Sequence, residues 1–129
     1  MRKTATKIST FRPKKTSRWS RHQEPGYVTG GRIWIAKDGE LYMGWGRAML
    51  LERIEKYGSI AAAARSMHLG YRNAWLWVEA MNRLAPTPLV EKTTGGLGGR
   101  HARLTEAGQR AVKEYKELRA RFQEFLSRV

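Results

Sequence analysis

From residue 32 the chain alternates between apolar and polar positions. In "RIWIAKDGELYM", Ile33 and Ile35 fall on one face and Trp34 on the other. Beyond the polar tip Lys37-Asp38-Gly39-Glu40, Leu41 and Met43 share a face, with Tyr42 opposite. A period of two on either side of Asp-Gly predicts a β-hairpin over 32–43. The period then lengthens. In "GWGRAMLLERIEKYG", Leu50, Leu51, Ile54 and Tyr57 recur at helical spacing, which predicts a helix over 46–57 stopped by Gly58. Ser59 offers an N-cap for a second helix from Ile60 to about Met67. Its Ala61–Ala64 run favours the helix and leaves room for a close crossing. Gly70 is expected to supply the backbone freedom for the turn into a third helix, Tyr71 to Ala85. There Ala74, Val78, Met81 and Ala85 form a core stripe flanked by Trp75 and Leu84. Arg72, Asn73, Leu76, Glu79 and Arg83 fall away from that stripe, burial is expected for Trp77, and Pro86 and Pro88 end the helix.

The segment "LVEKTTGGLGGRHARLT" reads as a strand over 89–93, a glycine-rich loop and a returning strand over 102–104. It is no phosphate loop: no Gly-Lys-Ser/Thr follows the glycines, and a strand comes next instead of a helix. Thr105 caps a last helix, with Glu106 in its first turn, where a negative charge favours the dipole. Along it Ala111, Tyr115, Leu118, Phe122, Phe125 and Val129 are spaced alternately by four and three, a heptad-like seam. That seam is expected to dimerise; packing on the subunit's own core is the competing reading. The order of elements gives a mainly α fold with little β: a winged helix–turn–helix with an N-terminal β-hairpin and a long C-terminal helix. Three segments follow: an arm over 1–25, the winged domain over 26–104, and the dimerisation helix over 105–129.

Charge turns this outline toward a partner. The net charge is +14, from 25 Lys and Arg against 11 Asp and Glu, more than solubility requires and suited to a polyanion. Half of it lies in "MRKTATKISTFRPKKTSRWSRHQEP", which has eight Lys or Arg and one acid, Glu24. That arm holds too few apolar residues to build a face, and Lys14, Lys15 and Arg18 are candidate phosphate contacts. The absence of cysteine excludes disulfides, thiolate catalysis and Cys-based metal sites. No apolar run approaches the roughly 18 residues of a membrane span, and no secretory signal opens the chain. A cytoplasmic, nucleoid-associated protein is expected, with no membrane partner. His22, His68 and His101 belong to three separate elements without metal-ligand spacing, and no nucleophile–base pair stands out. Neither an enzyme, a metal site nor a cofactor is expected.

The amino-terminal turn of the third helix carries Tyr71, Arg72 and Asn73. Arg can read a guanine edge and Asn an adenine edge, each through two hydrogen bonds. Ser59 can donate to a phosphate, and the wing offers Lys92, Thr93, Arg100, His101 and Arg103 to the backbone or minor groove. Double-stranded DNA is therefore the expected partner. The alternative on the same fold is a low-specificity architectural DNA-binding protein.

These residues carry a resemblance. Gly58-Ser59-Ile60, Ala63-Ala64, Tyr71 with Ala74-Trp75, Met81-Asn82, Leu89-Val90-Glu91, Gly95-Gly96, Gly98-Gly99, and Leu104-Thr105 with Gly108 together resemble the DNA-binding domain of molybdenum-dependent transcriptional regulators. These are the ModE type, related to the LysR-type regulators. The likeness covers about residues 32–120, and the hairpin before Gly44-Trp45-Gly46 resembles the short, single-domain members. It implies a homodimer on a palindromic operator, with Ala111, Tyr115, Leu118, Phe122 and Phe125 at the dimer seam. Two departures stand out. The chain ends at Val129, so the family's oxyanion-binding domain, and with it a molybdate site, is expected to be absent. Arg100-His101 replaces further glycines at the wing tip.

Overall fold

A computed structural model describes residues 26–93 and 101–129. The chain runs β1 (Ile35–Lys37), β2 (Glu40–Met43), α1 (Trp45–Tyr57), α2 (Ile60–Ser66), α3 (Tyr71–Leu84), β3 (Val90–Thr93), β4 (His101–Leu104) and α4 (Glu106–Arg128). β1 pairs antiparallel with β2 and β3 with β4, as two separate ribbons. This is the winged helix–turn–helix order read from the sequence.

Local chemistry sets most of the boundaries. Asp38 and Gly39 both take left-handed backbone (φ 52° and 80°), the two-residue turn whose twist suits a hairpin. A bulge between Ile35 and Ala36 then shifts the register, from Ile35 opposite Met43 to Ala36 opposite Leu41. The shift separates two residues expected to share a fate: Met43 is buried and Leu41 exposed, while Tyr42 is half-buried against the core. Gly58 ends α1 at φ 80° with its N–H on the Ile54 carbonyl (2.8 Å). The Ser59 hydroxyl oxygen accepts the Ala62 N–H (3.0 Å) at the start of α2.

The turn between α2 and α3 departs from expectation. His68, not Gly70, takes the left-handed conformation (φ 55°), whereas Gly70 is extended (ψ 144°). The His68 N–H binds the Arg65 carbonyl and the Leu69 N–H binds the Ala64 carbonyl, so α2 closes in a Schellman motif. Arg53 of α1 fastens the same end, donating to the Ser66 carbonyl (3.0 Å) and hydroxyl (2.9 Å).

The core gathers Leu50, Leu51 and Ile54 of α1, Ala63 and Ala64 of α2, Ala74, Val78 and Met81 of α3, and Leu89, Val90, Leu104 and Tyr115 around them. Tyr57, which continues the helical spacing of Leu50, Leu51 and Ile54, is exposed, while Ala48 at the other end of α1 is buried.

The wing is bound to this body at three joints. Asn82 of α3 accepts the N–H groups of Leu89 (2.8 Å) and Val90 (3.1 Å) and donates to the Val90 carbonyl (3.1 Å). β4 is tied to α1 by the Ala102 N–H on the Gly58 carbonyl (2.8 Å) and the Leu104 N–H on the Glu55 carboxylate (3.1 Å). Thr105 accepts the Gly108 N–H (3.0 Å) and donates its hydroxyl to the Pro88 carbonyl (2.7 Å), while its own N–H reaches the Leu89 carbonyl (2.9 Å). Asn82→Ala removes three of these bonds at once. It is expected to cost about 1–3 kcal/mol and to speed amide exchange at Leu89 and Val90 before exchange in α1, as hydrogen-exchange NMR would register.

The hairpin rests on the far end of α3. Lys37 donates to the Leu84 carbonyl (3.3 Å), and Arg83 forms a two-pronged pair with Glu40. The Arg83 hydrogen bond holds the Glu40 carboxyl below its usual range. This solvent-exposed contact is therefore complete at neutral pH and is lost as the pH falls through that lowered value.

The expected seam of α4 divides. Ala111 packs against the core, and Tyr115 is 1% exposed with its hydroxyl donating to the Ile33 carbonyl (2.8 Å). Tyr115 is thus covered within its own subunit, whereas Ala111 is only half-buried against the core. Burial raises the Tyr115 phenol, opposed in part by Arg119. Further along, Leu118 and Phe122 are half-buried and Phe125 is 62% exposed.

Candidate nucleic-acid interface

The amino-terminal end of α3 opens to solvent. Its N-cap, Gly70, brings no side chain to the first N–H groups, and no acid lies in the first turn. The helix end therefore keeps its partial positive charge and its unsatisfied donors, an arrangement suited to a phosphate. Tyr71, Arg72 and Asn73 are all exposed there, while Ala74 turns into the core. The three side chains named from the sequence are thus exposed among the described residues.

Trp75 is where the sequence reading misplaces a side chain. It was expected beside the core stripe, yet it is 38% exposed. It lies one helical turn beyond Tyr71 on the same face, and Glu79 continues that row. Lys92 of β3 reaches both, forming an ion pair with Glu79 and lying 5.3 Å from the Trp75 ring centre. These contacts set the wing alongside α3. They also mean that the Lys92 ammonium already has a partner.

Pairing in the wing sorts its side chains by face. Opposite residues of an antiparallel pair point the same way. Val90 faces Leu104 and Lys92 faces Ala102, giving the inner face; Glu91 faces Arg103 and Thr93 faces His101, giving the outer. The wing residues named from the sequence therefore do not form one set. Lys92 joins α3, whereas Thr93, His101 and Arg103 look outward, with Arg103 paired to Glu91 (3.3 Å). Ser59 is half-buried at its cap. Arg65, in the last turn of α2, is exposed and has no acidic partner among the described residues; the sequence reading passed over it. Its signal was position, a basic residue just ahead of the turn into α3. Lys14, Lys15, Arg18 and Arg100 lie outside the described residues, as do the whole arm over 1–25 and the glycines of the wing tip.

Residues 45–109 match the family described as bacterial regulatory helix-turn-helix protein, lysR family, from the first residue of α1 into the start of α4. The chain belongs to that family. Within it, the chain is similar to the molybdenum transport protein ModE of Azotobacter vinelandii, 43% identical over 83 residues, 64% of this chain and 31% of that protein. It is similar to the molybdenum-pterin-binding protein MopA of Rhodobacter capsulatus, 44% identical over 78 residues, 60% of this chain and 29% of that one. It is also similar to the DNA-binding transcriptional dual regulator ModE of Escherichia coli K12, 42% identical over 69 residues, 54% of this chain and 26% of that one. The chain thus spans about a third or less of each relative's length. The helix–turn–helix is of the ModE type, and its family is one of regulators, not enzymes. Among the described residues no group of His, Asp and Glu is arranged to hold a metal, and no helix is long and apolar enough to cross a membrane.

Proposed function

We propose that this LysR-family protein regulates transcription by binding a palindromic operator as a homodimer, with the amino end of α3 in the major groove of each half-site. The open, uncapped first turn of α3, with Tyr71, Arg72 and Asn73 exposed, carries the reading. Arg72 and Asn73 read bases, Tyr71 meets a phosphate or a thymine methyl, and the helix end attracts phosphate. Ser59, Arg65, Thr93, His101 and Arg103 track the sugar–phosphate backbone, with Arg100 at the wing tip. Lys92 positions the wing against α3. The arm over 1–25 adds affinity that does not depend on sequence, through residues including Lys14, Lys15 and Arg18. The winged domain spans 26–104, and the helix over 105–129 joins the two subunits through Leu118, Phe122 and Phe125. Ala111 and Tyr115 instead anchor that helix to its own subunit.

Selection of bound duplexes from a random pool at about 150 mM salt tests this reading. The expected product is an inverted repeat whose half-site centres lie one helical turn apart, about 34–36 Å. Its affinity should exceed that of random DNA by about 10³ or more. A ratio near one would instead identify an architectural protein that coats DNA through its charge.

A further inference from the structure

On the side of the molecule away from Tyr71 and Trp75, a cavity of about 620 Å³ lies between the hairpin, the start of α1, α3 and the second half of α4. Its volume falls within the roughly 300–1,000 Å³ of small-molecule sites. Its walls are aromatic: Trp34, Trp45, Trp77 and Phe122 line it. Its charged groups are all cationic: Arg32, Arg47 and Arg119 line it beside the neutral Tyr115 and Gln123, with no Asp or Glu. Arg119 lies over the Trp45 ring at 4.0 Å and makes no ion pair among the described residues. Arg47 donates one guanidinium N–H to the Leu41 carbonyl (2.8 Å) and lies 5.8 Å from the centre of the Trp77 ring. Its Nε is buried without an acceptor. A buried donor left unmatched costs free energy, and a ligand acceptor would remove that cost. Burial also lowers the Arg47 pKa, while Glu40, already paired to Arg83, raises it.

We infer that this cavity binds a small organic anion with a planar aromatic ring. The ring stacks among the tryptophans, and the acid group takes hydrogen bonds from Arg47 and Arg119. Aromatic walls select the plane, and two guanidinium groups without an acid in the lining select the charge. The site is separate from the proposed DNA surface; it shares Phe122 with the proposed subunit seam, so the inference requires that the partner subunit leave the cavity side of that ring open.

Calorimetric titration of the full chain with 1-naphthoate, 1-naphthamide and cyclohexanecarboxylate tests the inference. The naphthoate should bind, with the amide and the non-aromatic acid each weaker by about tenfold or more, the scale of one charge-assisted hydrogen bond or one aromatic stack. Arg119 is half-buried over Trp45 and beside Tyr115, and Arg119→Gln, which keeps most of its length, should weaken naphthoate by about the same factor with unchanged circular dichroism. Arg47→Gln should do likewise, but Arg119→Gln decides the matter if Arg47→Gln fails to fold. Equal affinity for acid and amide, no binding at millimolar naphthoate, or full affinity in Arg119→Gln would overturn the proposal. So would naphthoate affinity that falls as protein concentration rises, since a second copy of the chain would then be filling the cavity.

Discussion

Gly108→Ala should lower the melting temperature by about 10 °C or more, corresponding to a loss of about 2–3 kcal/mol. In an ordinary exposed helix the same change would stabilise by about 1 kcal/mol, because alanine is the better helix former. Here the sign reverses for a steric reason. A Cβ on Gly108 would fall 2.2 Å from the Leu89 carbonyl oxygen and 3.1 Å from its carbon. The obstacle is backbone, which cannot swing aside as a long side chain can. That same carbonyl accepts the Thr105 N–H, and the residues next to it are held by Asn82. Moving α4 outward breaks the Thr105 bonds to the Leu89 and Pro88 carbonyls; moving the chain at Leu89 breaks the Asn82 clasp. Either way the wing and the long helix separate from the body together. Thermal unfolding followed by circular dichroism reads the effect, and a raised melting temperature would refute this account of the joint.

The second large effect is confined to binding. Arg72→Ala should leave stability within about 0.5 kcal/mol of the parent, because the side chain is exposed and makes no ion pair among the described residues. On the selected duplex it should cost about 1–3 kcal/mol and relax preference at a single base position in each half-site. Random DNA should be bound about as before, since its affinity comes from phosphates neutralised along the whole surface. Repeating the selection with the variant separates these outcomes. If the preferred base survives at every position, Arg72 does not read sequence, and the task falls to Asn73 or Tyr71.

The elements fixed by neighbours in sequence were readable. Asp38-Gly39, Gly58, Ser59 and Thr105 each act within a few residues, through a left-handed φ or a side chain meeting a nearby N–H. What the sequence hid depends on distant partners. The bulge that turns Leu41 outward leaves no mark in the alternation of residues. The heptad spacing of α4 shows an apolar stripe but not what covers it. Tyr115 is claimed by the Ile33 carbonyl, 82 residues away in the chain, whereas Phe125 lies beyond reach of the body. Trp75 looked like core because it is large and apolar, yet Lys92 of the wing meets it at the surface. Lys92 itself read as a free wing cation, and only the strand register shows that it shares a face with buried Ala102. In the turn before α3, glycine was the obvious choice for the left-handed position, but the Schellman bonds place His68 there, two residues earlier.

The absence of cysteine allows the groove assignment to be tested directly, because any introduced thiol is the sole labelling site. An iron–EDTA group tethered at Leu76→Cys, an exposed position of α3 one turn beyond the reading residues, on the protein bound to its selected duplex, should cut within each half-site, centred on the major groove. The same group at Glu124→Cys on α4 should leave those positions intact. Cleavage spread evenly along the duplex from residue 76, or focused cleavage from residue 124 instead, would mean that a different surface of the protein meets DNA.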